Sequence, residues 1–404
     1  MKTKVICSET ELSPAVEAIR AGGLVSVPTE TVYGLCANAL DEKAVEELYE
    51  IKGRPEVKPL AMMVPSAEAM EKYCRNVPKS AYKLAENYWP GPLTIVLEAK
   101  EELVPSILRA GGKTVGLRCP DHPLTLAFLR ECGLPLAGPS ANPSGKPSPK
   151  SAGEVRSYFD GEIAAVLDGG ECAIGRESTL ISLASKPYKV LREAAVSEAE
   201  LRRVLRDELF IIGVTGGTGC GKTTVLETLE ESGALLLDCD KIYHELLKTS
   251  AEMLSAIEAR FPTAFSGGGL DRKALGAIVF ADPGALAELN AITHPFVAAE
   301  IERRLEEFAW NGGEVAAIDA IALIESGLSD RCDLTLGVLA SREARCERIM
   351  RRDGISRDYA EARIDAQPSD DFYESHCGRI LRNDGTAEEL AALARALISE
   401  IDNN

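Results

Sequence analysis

Short apolar runs alternate with longer amphipathic stretches along most of this 404-residue chain, and the alternation is clearest after residue 208. FIIGVT (210–215) reads as a buried strand, because a short apolar run rich in β-branched residues and bounded by turn residues fits a strand covered on both faces. TTVLETLEES then places Val225, Leu226 and Leu229 on one face of a helix that Gly233 ends. ALLLD (234–238), VAAID (315–319) and LTLGVL (334–339) repeat the strand signal. Strand, helix and strand in alternation predict a parallel α/β sheet wrapped by helices. Before residue 208, the runs GLVSVP (23–28), LTIVLE (93–98) and AAVLD (164–168) mix with helical patterns, which predicts an α/β or α+β domain.

The chain is longer than one hydrophobic core usually fills, so two domains are expected. The charged, helix-like stretch LREAAVSEAELRRVLRDE (191–208) precedes the strand at 210, which puts the boundary near 207 and gives domains 1–207 and 208–404. No proline- or glycine-rich linker separates them.

Composition narrows the function classes. The net charge is −18, and residues 1–205 hold 25 basic against 27 acidic residues while the remainder hold 20 against 36. Neither half is expected to bind nucleic acid strongly, and any polyphosphate must meet local basic groups. No apolar run is long enough to span a bilayer, and no apolar core of signal-peptide length follows the first lysines. The eleven cysteines are scattered singly, as reduced thiols would be, which predicts a cytoplasmic protein.

The stretch GVTGGTGCGKTT (213–224) carries G-x-x-x-x-G-K-[ST] between a predicted strand and a predicted helix. Such a loop turns backbone N–H groups toward phosphate at the positive end of a helix dipole. Thr218, Gly219, Cys220, Gly221, Lys222, Thr223 and Thr224 are therefore the candidate ATP-binding residues, with the Lys222 ammonium reaching the β- and γ-phosphates and the Thr223 hydroxyl ligating Mg2+. Asp238 and Asp240 follow the second strand, where ligands bind in such sheets; one carboxylate can accept a proton from an attacking hydroxyl and the other can order magnesium water. The competing reading makes Asp240 the N-cap of KIYHELL. In RCERIMRRD (345–353), Arg348 and Arg352 suit a phosphate-clamping lid, whereas Arg345 reads as part of a solvated helix face.

These motifs, with ITHP (292–295), DAIALIESGL (319–328) and RNDGT (382–386), resemble the dephospho-coenzyme A kinase family over residues 209–400. The resemblance implies a P-loop kinase with a parallel sheet, flanking helices and a helical lid, transferring the ATP γ-phosphoryl group to the 3′-hydroxyl of dephospho-CoA. It makes Asp240 the base, places Arg348 and Arg352 in the lid and puts Asn383 near adenine. The family usually carries serine where Cys220 stands, and proline and leucine where Ile321 and Ala322 stand in the segment that shapes the acceptor pocket. On residues alone, a nucleoside or nucleotide acceptor is the alternative.

In the first half, PTETVYGL (28–35) supplies hydroxyls at Thr29, Thr31 and Tyr33, and KGRPEVKPL (52–60) puts Lys52, Arg54 and Lys58 on a proline-stiffened loop. That loop either brackets an anion or is simply solvated. VGLRCPDHP (115–123) ends an apolar run at Arg118, and GPSANPSGKPSP (138–149) is a constrained loop offering Ser140, Asn142 and Ser148. ESTLI (177–181) opens a strand with Ser178 and Thr179, and VLRE leaves Arg192 at the end of another. Separated hydroxyl and guanidinium groups at strand ends predict a polar cleft for an anionic ligand.

In this order the motifs resemble the YrdC-type threonylcarbamoyl-AMP synthase family over about residues 10–205. The resemblance implies an α/β domain with a twisted mixed sheet and an open cleft. Its reaction joins L-threonine, bicarbonate and ATP into threonylcarbamoyl-adenylate, which downstream tRNA-modification proteins consume. By motif position Thr31, Arg118 and Ser178 face threonine, and Lys52, Arg54, Lys58, Thr114, Ser140, Asn142, Ser148 and Arg192 face the nucleotide. Glu193, where the family commonly has proline, stands to weaken the hold of Arg192 on phosphate. The alternative is a non-catalytic RNA-binding or regulatory module.

Overall fold

The computed structural model describes residues 2–267, 269–320 and 323–402. Ile321 and Ala322 lie outside the described residues. The chain separates into two compact units, Met1–Asp207 with Trp310–Gly312, and Glu208–Ala309 with Gly313–Asn404.

The first unit is built on a mixed ten-stranded sheet. In spatial order its strands are Lys4–Ile6, Ala165–Leu167, Val25–Val27, Gly34–Asn38, Leu136–Ala137, Ala61–Met63, Thr114–Arg118, Leu93–Glu98, Thr179–Ser182 and Lys189–Arg192. Thr114–Arg118 pairs parallel to Ala61–Met63 on one side and antiparallel to Leu93–Glu98 on the other. Helices Ser13–Arg20 and Pro123–Cys132 contribute Val16, Ile19, Phe128 and Leu129 to a core shared with Val25, Cys36 and Leu167 of the sheet. Each such aliphatic side chain, fully buried, is worth about 1.5–3 kcal/mol relative to exposure. The core fixes the strands, so Arg118, Ser178 and Arg192, all at or beside strand ends, acquire set positions.

The second unit has a five-stranded, wholly parallel sheet in the order Leu235–Asp238, Val315–Asp319, Phe210–Thr215, Leu334–Leu339, Arg379–Arg382. Val225, Leu226 and Leu229 of helix Lys222–Glu231 and Leu390, Ala394 and Leu397 of helix Ala387–Asp402 pack on Ile212, Val214, Ala317, Leu336 and Val338. The predicted apolar face of the first helix is therefore the buried one. A separate helical cluster joins Met253, Ile257, Leu275, Val279, Ala285 and Leu289. Helices Arg342–Asp353 and Arg357–Asp365 share a small core of Cys346, Ile349, Ala360 and Ile364.

Candidate active sites

In the first unit, a cleft of about 280 Å³ opens beside the strand ends, lined by Arg54, Thr114, Arg118, Ser140, Ser178 and Arg192 among others. Thr31, Lys52, Lys58, Asn142 and Ser148 do not line it. Arg118 is buried and its guanidinium is held from one side: Nη2 donates to Glu30 Oε1 and to Thr31 Oγ1, each at 2.7 Å, and Nε donates to Gly91 O at 3.2 Å. Glu30 also accepts from the Asp121 N–H at 3.0 Å, so it ties the PTET loop to the segment after Arg118. The Ser178 hydroxyl lies 2.8 Å from that of Thr94 and accepts from Arg192 Nη2 at 3.3 Å.

The basic groups differ from the sequence expectation. Lys52 is not on the loop but is the last residue of helix Glu42–Lys52, which Gly53 terminates in the left-handed conformation at φ 56°. It is buried, and its ammonium donates to the carbonyls of Ser140 and Asn142. Burial, with neighbouring Arg54 adding repulsion, pushes its pKa down to about 7. Lys52 thus belongs to the floor that supports the 138–149 loop, while Lys58 is exposed. The Asn142 amide donates to Pro143 O and Lys146 O, and its Oδ1 is buried without a hydrogen-bond partner. Arg54 donates to Lys58 O and Pro59 O, which fixes the loop's return.

Arg192 is paired with a carboxylate, but not the expected one. Its Nη1 meets Glu177 Oε2, whereas Glu193 accepts from the Glu198 N–H at 3.1 Å. The competitor for phosphate at Arg192 is therefore Glu177, which precedes the strand Thr179–Ser182 that pairs antiparallel with the strand of Arg192.

In the second unit the loop after Phe210–Thr215 adopts backbone angles that need glycine: φ is 138° at Gly216, 78° at Gly219 and 105° at Gly221. A Cβ on Gly216 would lie 2.2 Å from Val338 O. Helix Lys222–Glu231 starts directly after Gly221. The Thr223 side chain is exposed, and Lys222 Nζ stands 3.7 Å from Asp319 Oδ1. Asp319 Oδ1 is buried with no hydrogen-bond partner, and burial raises its pKa against the opposing pull of Lys222. This aspartate was missed as a site residue, although its signal was present: it is the one acid ending the apolar run VAAID.

Asp238, not Asp240, is the N-cap of helix Cys239–Thr249, accepting from Lys241 N at 2.9 Å and pairing with Lys241 Nζ at 3.1 Å. Asp240, in the first turn, is exposed and lines a cleft of about 900 Å³ with Tyr243, His244, Arg272, Phe280 and Arg331. That cleft has the size and mainly apolar walls of a site for a large organic ligand.

Three arginines meet the glycine loop differently. Arg348 Nη2 donates to Asn383 O at 3.0 Å, and Asn383 Nδ2 donates to Cys220 O at 2.8 Å. Arg352 is 60% exposed, pairs with Asp353 at 2.7 Å and reaches Thr218 Oγ1 at 3.4 Å. Arg345 corrects the sequence reading: it is buried, and its Nε donates to Thr218 O at 3.0 Å. The thiol of Cys220 is buried, which pushes its pKa up and keeps it protonated.

Comparison with known proteins matches the two halves of the chain to different families. Residues 17–194 match the Sua5/YciO/YrdC family model, described as telomere recombination, and residues 210–389 match the dephospho-CoA kinase model. Over 197 residues the chain is 46% identical to the threonylcarbamoyl-AMP synthase of Pyrococcus abyssi, covering 49% of this chain and 58% of that one. A Mycobacterium tuberculosis protein provisionally named threonylcarbamoyl-AMP synthase is 39% identical, over 47% of this chain and 87% of its own length. The dephospho-CoA kinase of Geobacter sulfurreducens is 43% identical, over 39% of this chain and 81% of that one. The chain thus spans little more than half the length of the Pyrococcus protein.

Proposed function

The chain belongs to the Sua5/YciO/YrdC family in its first half and to the dephospho-CoA kinase family in its second, and on that footing we propose a bifunctional enzyme with domains 1–207 and 208–404. The first domain joins L-threonine, bicarbonate and ATP into threonylcarbamoyl-AMP and pyrophosphate, the donor for tRNA modification. The second transfers the ATP γ-phosphoryl group to the 3′-hydroxyl of dephospho-CoA, giving CoA and ADP. What supports the reading is that each unit has its own cluster of groups suited to an anion: a cleft with arginines at its strand ends in one, and a glycine loop with Lys222 facing Asp319 in the other.

In the first domain, Arg118, held by Thr31 and sharing the cleft with Ser178, receives the threonine carboxylate. Threonine and bicarbonate lose water to form a carbamate, whose carboxylate attacks the α-phosphorus and expels pyrophosphate. No side-chain nucleophile is needed, so the domain acts by positioning anions. Arg54, Lys58, Arg192, Thr114, Ser140 and Ser148 face the nucleotide, with Lys52 and Asn142 supporting them from below.

In the second domain, residues 218–224 hold the phosphates, Arg348 and Arg352 close from the lid, and Asn383 braces the loop. Asp240 accepts the proton of the acceptor hydroxyl at the mouth of the large cleft. Asp238 keeps that helix start in place. The exposed Thr223 hydroxyl and the Asp319 oxygen, which has no hydrogen-bond partner, fit a hard divalent cation. Thr223 and Asp319 would hold Mg2+, which supplies neutralisation of the β- and γ-phosphate charge. We read the enzyme as cytoplasmic, supported by eleven free thiols and by the lack, among the described residues, of a helix long and apolar enough to cross a membrane.

The test is product formation by the full chain. Pyrophosphate release must require both threonine and bicarbonate, and ADP formation must be greatest with dephospho-CoA among nucleosides and nucleotides offered. Tight RNA binding without pyrophosphate release would remove the first activity.

A further inference from the structure

Arg345 sits on helix Arg342–Asp353, in a sequence context of exposed charges, yet only 5% of it is accessible. Its guanidinium makes contacts with two separate segments. Nε donates to Thr218 O at 3.0 Å, and Nη2 donates to Gln367 Oε1 at 2.8 Å. The same Gln367 oxygen accepts from the Thr218 N–H at 2.8 Å. These three bonds close a ring in which both backbone polar groups of Thr218 are held by side chains from the helical pair and the turn that follows it. The ring also explains a glycine: a Cβ on Gly217 would lie 2.2 Å from Arg345 Nη2 and 3.0 Å from Gln367 Oε1.

We propose that Arg345 and Gln367 are positioning residues that clamp the Thr218 peptide and so set the nucleotide-binding conformation of the glycine loop. Both side chains meet the loop through Thr218 and through each other, and Arg345 Nη1 also stands 3.9 Å from Asp370 Oδ1. The neighbouring glycines give the loop wide backbone freedom, and ordering such residues costs entropy that a pre-set loop no longer loses on binding. The clamp works through a charge-assisted bond in a buried setting, where removing one partner strands the other. It also links the lid helix to the loop it covers, so Thr218 is fixed only while that helix is seated.

The inference rests on reading this unit as an ATP-dependent kinase, and the experiment separates the two. Steady-state kinetics of dephospho-CoA phosphorylation, with MgADP affinity read as product inhibition of that reaction, are measured on the full chain for the wild type, Arg345→Met, Gln367→Leu and the double variant. Each single variant is expected to weaken MgADP by about tenfold or more. KM for ATP should rise in parallel while KM for dephospho-CoA stays unchanged. Because both side chains act on one peptide, the double variant should be little worse than the weaker-binding single. Gln367 is only half-buried, so Gln367→Leu keeps the test open if Arg345→Met fails to fold. MgADP binding by Gln367→Leu within twofold of wild type, or equal rises in KM for both substrates, would overturn the clamp. A wild-type chain that phosphorylates no dephospho-CoA would overturn the kinase reading and the clamp with it.

Discussion

Glu30 and Arg118 form a buried ion pair at 2.7 Å, with side-chain exposures of 8% and 9%, and the same guanidinium nitrogen reaches Thr31. A buried pair of this kind depends on both partners, because a lone charge is left uncompensated when one is removed. Glu30→Ala is expected to destabilise the first domain by about 3 kcal/mol or more. It should also raise KM for threonine, since Arg118 loses its orientation. Denaturant unfolding and threonine-dependent pyrophosphate release measure the two effects. An unchanged KM would show that Arg118 does not receive threonine.

Lys52 carries a pH signature. Its pKa of about 7 in the fold lies below the ordinary 10.5, so between these values the unfolded chain binds the extra proton. Stability from this group therefore rises with pH across that window, and is absent below about 7 where both states are protonated. Nucleotide binding moves oppositely: an anion above the 138–149 loop favours the ammonium, so ATP affinity in the first domain should fall as pH passes above 7. Lys52→Met should flatten both dependences. Pyrophosphate-release KM for ATP and denaturant midpoints across pH 6–9, a range of about three units, would check this.

Glu177 competes with phosphate for Arg192. The pair is nearly half exposed on both sides, so its strength is modest, about 0.2–1 kcal/mol. Glu177→Gln should lower KM for ATP in pyrophosphate release by about two- to fivefold at low salt, with the gain shrinking as salt screens it. A rise in KM would show instead that Glu177 assists binding.

Much of the fold was legible, and the reasons are physical. VAAID, LTLGVL and LTIVLE coincide with strands at 315–319, 334–339 and 93–98 because an apolar run bounded by breakers has few other ways to be buried. Charged residues misled for the opposite reason. Lys52 and Arg345 look solvated in sequence, but both are buried against carbonyls contributed by Ser140, Asn142 and Thr218, some 88 to 127 residues away. Nothing local marks such partners. Glu30 was overlooked between two threonines, since its meaning lies in the distant Arg118. Asp238 rather than Asp240 became the cap because the strand runs to 238 and the helix starts one residue later.

Asp319 faces Lys222 with an oxygen that has no hydrogen-bond partner. Asp319→Asn removes the charge while keeping the shape, and should cut the kinase kcat by about 100-fold or more and raise the Mg2+ concentration needed for half-maximal rate. Burial raises the Asp319 pKa, so protons should compete with Mg2+ there: at limiting Mg2+ the kinase rate should fall on acidification, and added Mg2+ should restore it. ADP formation against Mg2+ and pH reads both, and a rate indifferent to Asp319→Asn would remove it from the site.

The central claim is that one chain carries two independent ATP-dependent activities. The most direct measurement follows ADP formation with dephospho-CoA and pyrophosphate release with threonine and bicarbonate, in the same preparation of full-length wild type and Lys222→Ala at saturating ATP. Both products are expected from the wild type, and from Lys222→Ala a loss of ADP formation by about 100-fold or more with pyrophosphate release unchanged. Loss of both products in Lys222→Ala, or absence of either from the wild type, would contradict it.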